Sequence, residues 1–360
     1  MQAIGPEFER ILQAKTQLSG TLLTRGIENG VVRMSRVSPE AAAVRAGLHV
    51  HAVGIGPKVV GGVVTETIAI RVYVVQKLRP EDGLPEGDAI PPDIDGIPTD
   101  VIESPPAFLF QREDSALEML ELGHSTAMVN CSSLKKKEQN PVIGGISTGR
   151  EGGSSGTIAC FCRSTQPGEE NQILVLSNSH VFGPSGGGNE HLLQPASQDV
   201  NPPFRRFAKF LRATSINLSG AAANDIDAAV GSLLDGIGHS QEICSIGPIA
   251  GTALAGHGMQ VRKHGRNTGL RTGVVDDIHC DVACGLKPVG IPVTALFRGQ
   301  FRITKASSEP YFAYNGDSGS LVVDQARNAV GLLFASPQDG SYGMANYIGD
   351  VLRALNITLL

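Results

Sequence analysis

From about Asn140 to the C-terminus, glycine, proline, asparagine and aspartate cut the chain into apolar runs too short for helices. This pattern constrains the fold more than any other feature. The runs Gly156–Cys162, Ile173–Leu176, Ala228–Ser232, Gly273–Ile278, Gln300–Ile303, Ser320–Val323 and Ala329–Phe334 each predict a strand. With 44 glycines and 21 prolines in 360 residues there are turn-formers enough to join them. Many short strands separated by turns make a β-barrel or a β-sandwich. Near the end Ile348, Val351, Leu352 and Leu355 fall at helical spacing, which predicts a short C-terminal helix within Asn346–Leu355. The fold class is therefore mainly β.

The first 110 residues read differently. Phe8, Ile11 and Leu12 repeat at helical spacing, so residues 1–34 begin as a helical segment. Strands are predicted over Val50–Gly56 and Thr65–Val75 and near Thr99–Ile102, with a Pro- and Asp-rich stretch, Arg79–Pro98, between them. Residues 35–110 thus form a small α/β module. The run Glu103–Pro106 marks its boundary, 111–139 reads as a linker and 140–360 as the main domain. The net charge of -5 and the single short lysine run, Lys135–Lys137, exclude a nucleic-acid binder. No apolar stretch is long enough for a secretory signal or a membrane span. All six cysteines read as reduced thiols, so a cytoplasmic location is expected. His279, Cys280 and Cys284 lie close in sequence, but their spacing fits no zinc pattern, and neither a metal nor a cofactor is expected.

Three motifs carry chemistry. In Gly316-Asp317-Ser318-Gly319-Ser320, glycines flank an Asp-Ser pair. They allow a tight turn that aims backbone N–H groups inward, and Gly316 and Ser318 are the natural donors for an oxyanion. In Leu174–Phe182 a strand runs into a polar turn and delivers His180. In Asn224–Gly231 an acid stands just before an apolar strand, where a buried carboxylate needs a donor such as a histidine N–H. Asp227 is favoured for that role, and Asp225, on the same face of an extended chain, is its rival. The chain order His180, Asp227, Ser318 is that of the chymotrypsin arrangement, and differs from the subtilisin and α/β-hydrolase orders.

With these motifs in place, residues 140–360 resemble the trypsin/chymotrypsin-like serine peptidases, in particular their bacterial, streptogrisin-like branch. The stretch Val261–Val275 is similar to a "V-x-K-x-G-x-T-T-G-x-T-x-G-x-V" hairpin of that branch, departing from it at Asn267 and Arg271, where the pattern has threonine. The resemblance implies a double β-barrel with the hairpin as framework. It places the floor of a specificity pocket at Phe312, for which core packing is an equal alternative, and its wall along Phe334-Ala335-Ser336. No acid stands at that floor, so a small or apolar residue is expected at the cleavage position. Ser320 stands where most secreted relatives carry glycine, which is expected to narrow the approach to the oxyanion hole. The front module, with Val53–Lys58, Ile68–Val75 and Ile90–Val101, resembles the N-terminal region of bacterial trypsin-like proteins related to the plant narrow-leaf proteins.

The function expected is a serine endopeptidase acting through an acyl-enzyme on a protein or peptide substrate, with no nucleic-acid or membrane partner. A catalytically weak peptide-binding or assembly scaffold, or an esterase on the same triad, is the alternative. Because an intracellular peptidase needs restraint, a homo-oligomer or a gating partner is expected.

Overall fold

The computed structural model describes residues 5–28, 50–78, 89–109, 131–170, 172–183, 190–218, 222–285 and 294–360. Helix α1 (Pro6–Glu28) comes first, with proline where a missing N–H does no harm. It buries Ile11, Ala14 and Leu23 against the hairpin of β1 (Val50–Val60) and β2 (Val63–Val74). The hairpin turns at Gly61-Gly62, both at positive φ (59° and 82°), as a two-residue turn matched to strand twist requires. Strand β4 (Ile97–Glu103) pairs parallel to β2, and β3 (Asp93–Ile94) folds back on β4.

The main domain then runs through β5 (Val142–Gly144), β6 (Ser147–Arg150), β7 (Ser155–Thr157), β8 (Phe161–Ser164) and β9 (Ile173–Ser177) into a one-turn helix, α2 (Ser179–Phe182). Strands β10 (His191–Leu193), β11 (Arg206–Ala213) and β12 (Ala229–Leu233) follow, then β13 (His239–Ile243), β14 (Gly247–Pro248) and β15 (Gly251–Thr252). The last set is β16 (Gln260–Gly265), β17 (Gly269–Gly285), β18 (Thr294–Lys305), β19 (Leu321–Asp324), β20 (Asn328–Ala335) and β21 (Tyr342–Tyr347), ending in α3 (Ile348–Leu355) and β22 (Ile357–Leu359).

Two barrels result. The first is an open, eight-stranded half-barrel in the order β22-β8-β9-β12-β11-β10-β6-β7. The second closes on itself, because β16, at one end of β16-β19-β20-β21-β18-β17, also pairs with β17. This mainly β, chymotrypsin-like double barrel is the fold that the resemblance implies. Between the barrels lies a dry core in which Leu176 and Val230 of the first meet Leu321 and Leu332 of the second. Ile348, Val351 and Leu355 on one face of α3 seal it.

Strand β17 is 17 residues long and serves two purposes. Its first half belongs to the closed barrel, and its second half carries β1 in antiparallel register (Ala52↔Val282, Ile55↔Ile278). The front sheet is therefore continuous with the second barrel. Lys15 and Ser19 of α1 fix the helix to the same strand, with the Lys15 Nζ 2.6 Å and the Ser19 Oγ 2.6 Å from the Asp281 carboxylate. The run Glu103–Pro106, read as a boundary, leads into a buried stretch. Tyr342 OH donates to the Pro105 carbonyl (2.7 Å) and Ala107 is fully buried.

Two expectations change. The run Gly156–Cys162 forms two strands, because its partner switches from β6 to β9 at residues 158–160: Ile158 N–H donates to the Ile146 carbonyl and Ala159 N–H to that of Leu176. The cysteines are not all free thiols either. Cys131 and Cys244, 113 residues apart, form a disulfide, while Cys160, Cys162, Cys280 and Cys284 are free and buried. Folding brings together what spacing could not suggest, and cysteine usage no longer argues for a reducing compartment. Among the described residues no helix is long and apolar enough to cross a membrane.

Candidate active site

Antiparallel pairing of β9 with β12 sets Ser177 opposite Ala229. The residues just after Ser177 therefore face those just before Ala229, which brings His180 to Asp227. His180 Nδ1 lies 2.5 Å from Asp227 Oδ2, and the His180 backbone N–H donates to Asp227 Oδ1 (3.1 Å). Asp227 is fully buried and the His180 side chain only 3% exposed. The acid's own backbone is also fixed. Asn178 Nδ2 donates to its carbonyl (2.7 Å), and its N–H donates to Asn346 Oδ1 (3.1 Å), at the end of β21 in the other barrel. Asp225 is exposed, and its carbonyl accepts from Gln300 Nε2 (2.8 Å); of the two acids, Asp227 is the one at hydrogen-bond distance from the His180 ring.

Ser318 sits in the turn before β19. Asp317 N–H donates to the Tyr314 carbonyl (3.0 Å), and the third residue of that turn, Gly316, has φ +88°. A positive φ there marks a type II turn, with the central peptide flipped relative to type I. The turn is wedged between barrels: Thr157 N–H donates to the Ser318 carbonyl (2.8 Å), and Gly319 N–H to that of Leu333 (2.9 Å). A Cβ on Gly156 would meet the Val181 side chain at 2.6 Å and the Ser318 carbonyl at 2.9 Å. The turn bearing His180 and the turn bearing Ser318 thus converge across that glycine. Ser318 keeps 8% exposure, and its Oγ lies 3.4 Å from the Phe334 carbonyl, a long contact.

Among the described residues the N–H groups of Gly316 and Ser318 donate to no partner, whereas those of Asp317, Gly319 and Ser320 all do. In each case a side chain holds the carbonyl on the other side of the same peptide. Asn267 Nδ2 donates to the Asn315 carbonyl, and Ser320 Oγ to that of Asp317 (2.6 Å). In a planar trans peptide the N–H points away from its carbonyl, so fixing one direction fixes the other. Ser320 is buried beneath the turn, with its Oγ against Gly265 and bonded to the Asp317 carbonyl. In the sequence Asn267 is visible only as a departure from the hairpin pattern.

Under the turn, Asp317 accepts from Lys263 Nζ (2.7 Å), Thr268 Oγ1 (2.6 Å) and the backbone N–H groups of Asn267, Thr268 and Tyr314. Both side chains of the Lys263–Asp317 pair are fully buried. Burial alone would raise the carboxyl, yet the Lys263 ammonium and the bonds from Lys263 and Thr268 hold it below the usual carboxylate range. The hairpin read as framework thus clamps the turn that carries Ser318. Arg266 extends it, holding Asp199 through Nε and Nη2 (2.8 and 2.6 Å) and Asn267 Oδ1 through Nη1 (3.1 Å).

Phe312 is fully buried in the second barrel's core, its ring closing on Gly273 and Gly343, which is the packing alternative. Phe334 and Ala335 are buried at the end of β20, with Ser336 just beyond it. A cleft of about 870 Å³ opens beside His180 and is lined by Arg150, Phe210, Thr214, Ile216 and Leu109 among others. His279 packs its ring against Phe8 and Tyr347 (centroids 5.5 and 6.0 Å away).

No protein-family model matches this sequence, and neither does any curated protein. Solved structures do resemble it in shape. Protease A of Thermobifida fusca is 16% identical, covering 61% of this chain and 98% of its own, with a TM-score of 0.43. A chymotrypsin of Cellulomonas bogoriensis is 18% identical over 61% and 98%, at 0.41. An α-lytic protease homologue is 21% identical over 61% and 99%, at 0.42. These are bacterial serine proteases of the chymotrypsin type.

Proposed function

We propose that the chain is a serine-type hydrolase that cleaves peptide bonds through an acyl-enzyme on Ser318. The buried His180–Asp227 pair, held beside a nucleophile turn whose two undonated N–H groups come from Gly316 and Ser318, carries this reading.

In the mechanism that follows, His180 takes the Ser318 proton as Oγ attacks the carbonyl carbon, then delivers it to the leaving amine. Asp227, bound to Nδ1, fixes the tautomer in which Nε2 is the atom that accepts the proton, and it stabilises the imidazolium. The Gly316 and Ser318 N–H groups meet the charge that develops on the carbonyl oxygen, where prearranged donors are worth most. Water then repeats the cycle on the ester. Phe334, Ala335 and Ser336 form the wall along which the acyl side of the substrate lies.

Hydrolysis of a peptide anilide, followed beside that of a simple ester, tests this reading. Ser318→Ala and His180→Ala are each expected to lose both activities. Ester hydrolysis without any anilide hydrolysis in the intact chain would replace the peptidase with an esterase. Activity that survives Ser318→Ala would end the acyl-enzyme reading altogether.

A further inference from the structure

The strand edge beside the nucleophile is occupied, and by the chain itself. Phe108 exchanges two backbone hydrogen bonds with Ser336, its N–H donating to the Ser336 carbonyl (3.0 Å) and its carbonyl accepting from the Ser336 N–H (3.4 Å). On the other side, Leu109 N–H donates to the Gly285 carbonyl (3.0 Å) and Gly285 N–H to that of Ala107 (3.0 Å). The three residues are thus held extended between the ends of β17 and β20.

The polarity of this pairing is informative. It is antiparallel, so the step from Phe108 to Leu109 runs back along β20, from Ser336 toward Phe334. Phe334 is the residue whose carbonyl lies 3.4 Å from Ser318 Oγ. An extended peptide that adds a strand to this edge, with its acyl end at Ser318, follows the same path in the same direction. The side chains are seated as well. The Phe108 ring lies against Gly285, where a Cβ would come within 2.7 Å of it. Leu109 is 2% exposed, packs with Phe297, Phe334 and Ile216, and forms part of the wall of the cleft that contains His180.

We propose that Ala107–Leu109 is a built-in ligand of the chain's own peptide track. The track takes an extended segment with bulky apolar side chains at the positions of Phe108 and Leu109, and a substrate of that class has to displace the resident segment. This inference rests on the peptidase reading above, and it makes the restraint on the site a part of the same chain.

The test uses the full-length chain on a Ser318→Ala background, so that binding is read without turnover. The probe is a fluorescein-labelled peptide copying residues 105–109, Pro-Pro-Ala-Phe-Leu. With Phe108→Gly and Leu109→Gly added, the vacated track is expected to bind it at least about tenfold more tightly than the intact segment allows, since an intramolecular competitor is gone. A peptide with serine at the last two positions should not compete. Equal binding with and without the resident segment, or no binding to either folded protein, overturns the proposal. Should the double variant lose its cooperative melt, Phe108→Ala alone carries the same comparison. Fluorophosphonate labelling of Ser318 in the parent chain is measured alongside. Its absence would count against the acyl-enzyme, while the binding result still judges the track.

Discussion

Asp227 and Asp317 are both fully buried, one bonded to the ring of His180 and the other next in sequence to Ser318, and they are held in opposite ways. Asp317 is paired with a buried lysine and bonded by four further donors, the Thr268 hydroxyl and the N–H groups of Asn267, Thr268 and Tyr314. Among the described residues Asp227 pairs with no lysine or arginine. Its partner is the ring of His180, which takes on charge only when it accepts a proton. One acid is bonded into the turn that carries Ser318, and the other to the ring and backbone of His180. The comparison teaches that burial and a short bond do not by themselves identify a catalytic acid. What separates the two is the partner, a buried lysine ammonium for Asp317 and a histidine ring for Asp227.

Breaking each pair should give different losses. Asp227→Asn is expected to lower kcat about 10⁴-fold, by favouring the wrong imidazole tautomer, while the melting temperature moves little. Steady-state kinetics and a thermal melt on the same sample check this. Lys263→Met should do the reverse first, destabilising the fold by about 3–5 kcal/mol because it leaves a buried carboxylate without its cation. Denaturant unfolding measures that loss, and adding Asp317→Asn to Lys263→Met should recover much of it.

A third buried acid sharpens the contrast. Asp277, between the front sheet and the second barrel, accepts from Tyr73 OH (2.7 Å), and burial, only partly offset by Arg71 and Tyr73, raises its carboxyl to about 7. A folded-state value above the unfolded one means that its favourable contribution is complete below about pH 4. That contribution is lost as the pH rises through about 7. Asp277→Asn should therefore gain more stability at pH 8 than at pH 4, by up to about 4 kcal/mol. Chemical denaturation at both pH values reads the difference, and an equal effect at the two would contradict it.

Smaller effects follow at Asn267 and Asp225. Asn267→Ala frees the Asn315–Gly316 peptide to turn, and is expected to lower kcat about tenfold to a hundredfold, less than deleting an oxyanion donor outright. KM should hardly change, since the loss falls on the developing charge. Asp225→Asn, at an exposed position, should leave kcat unchanged and stability within about 0.5 kcal/mol.

The comparison also explains what the sequence discloses. The glycines around Ser318 and the strand spacing that predicts a barrel or a sandwich are local signals, and the order His180, Asp227, Ser318 is read directly along the chain. Lys263 stands 54 residues before Asp317, within a hairpin whose pattern suggests framework alone. Asn267 departs from that pattern, yet only the fold shows that its amide reaches the Asn315 carbonyl. Phe108 and Ser336 belong to different modules, and no periodicity links an extended tripeptide to a strand end so far along the chain. Contacts made by folding two barrels and a front sheet together leave no spacing rule behind. The Cys131–Cys244 disulfide is illegible for the same reason.

Intact-mass spectrometry after treatment with a fluorophosphonate probe tests the central claim most directly. One adduct on the intact chain, absent from Ser318→Ala and strongly slowed in His180→Ala and Asp227→Asn, is the predicted result. An intact chain that takes no adduct, or one that is labelled equally well without Ser318, would contradict an activated nucleophile at this site.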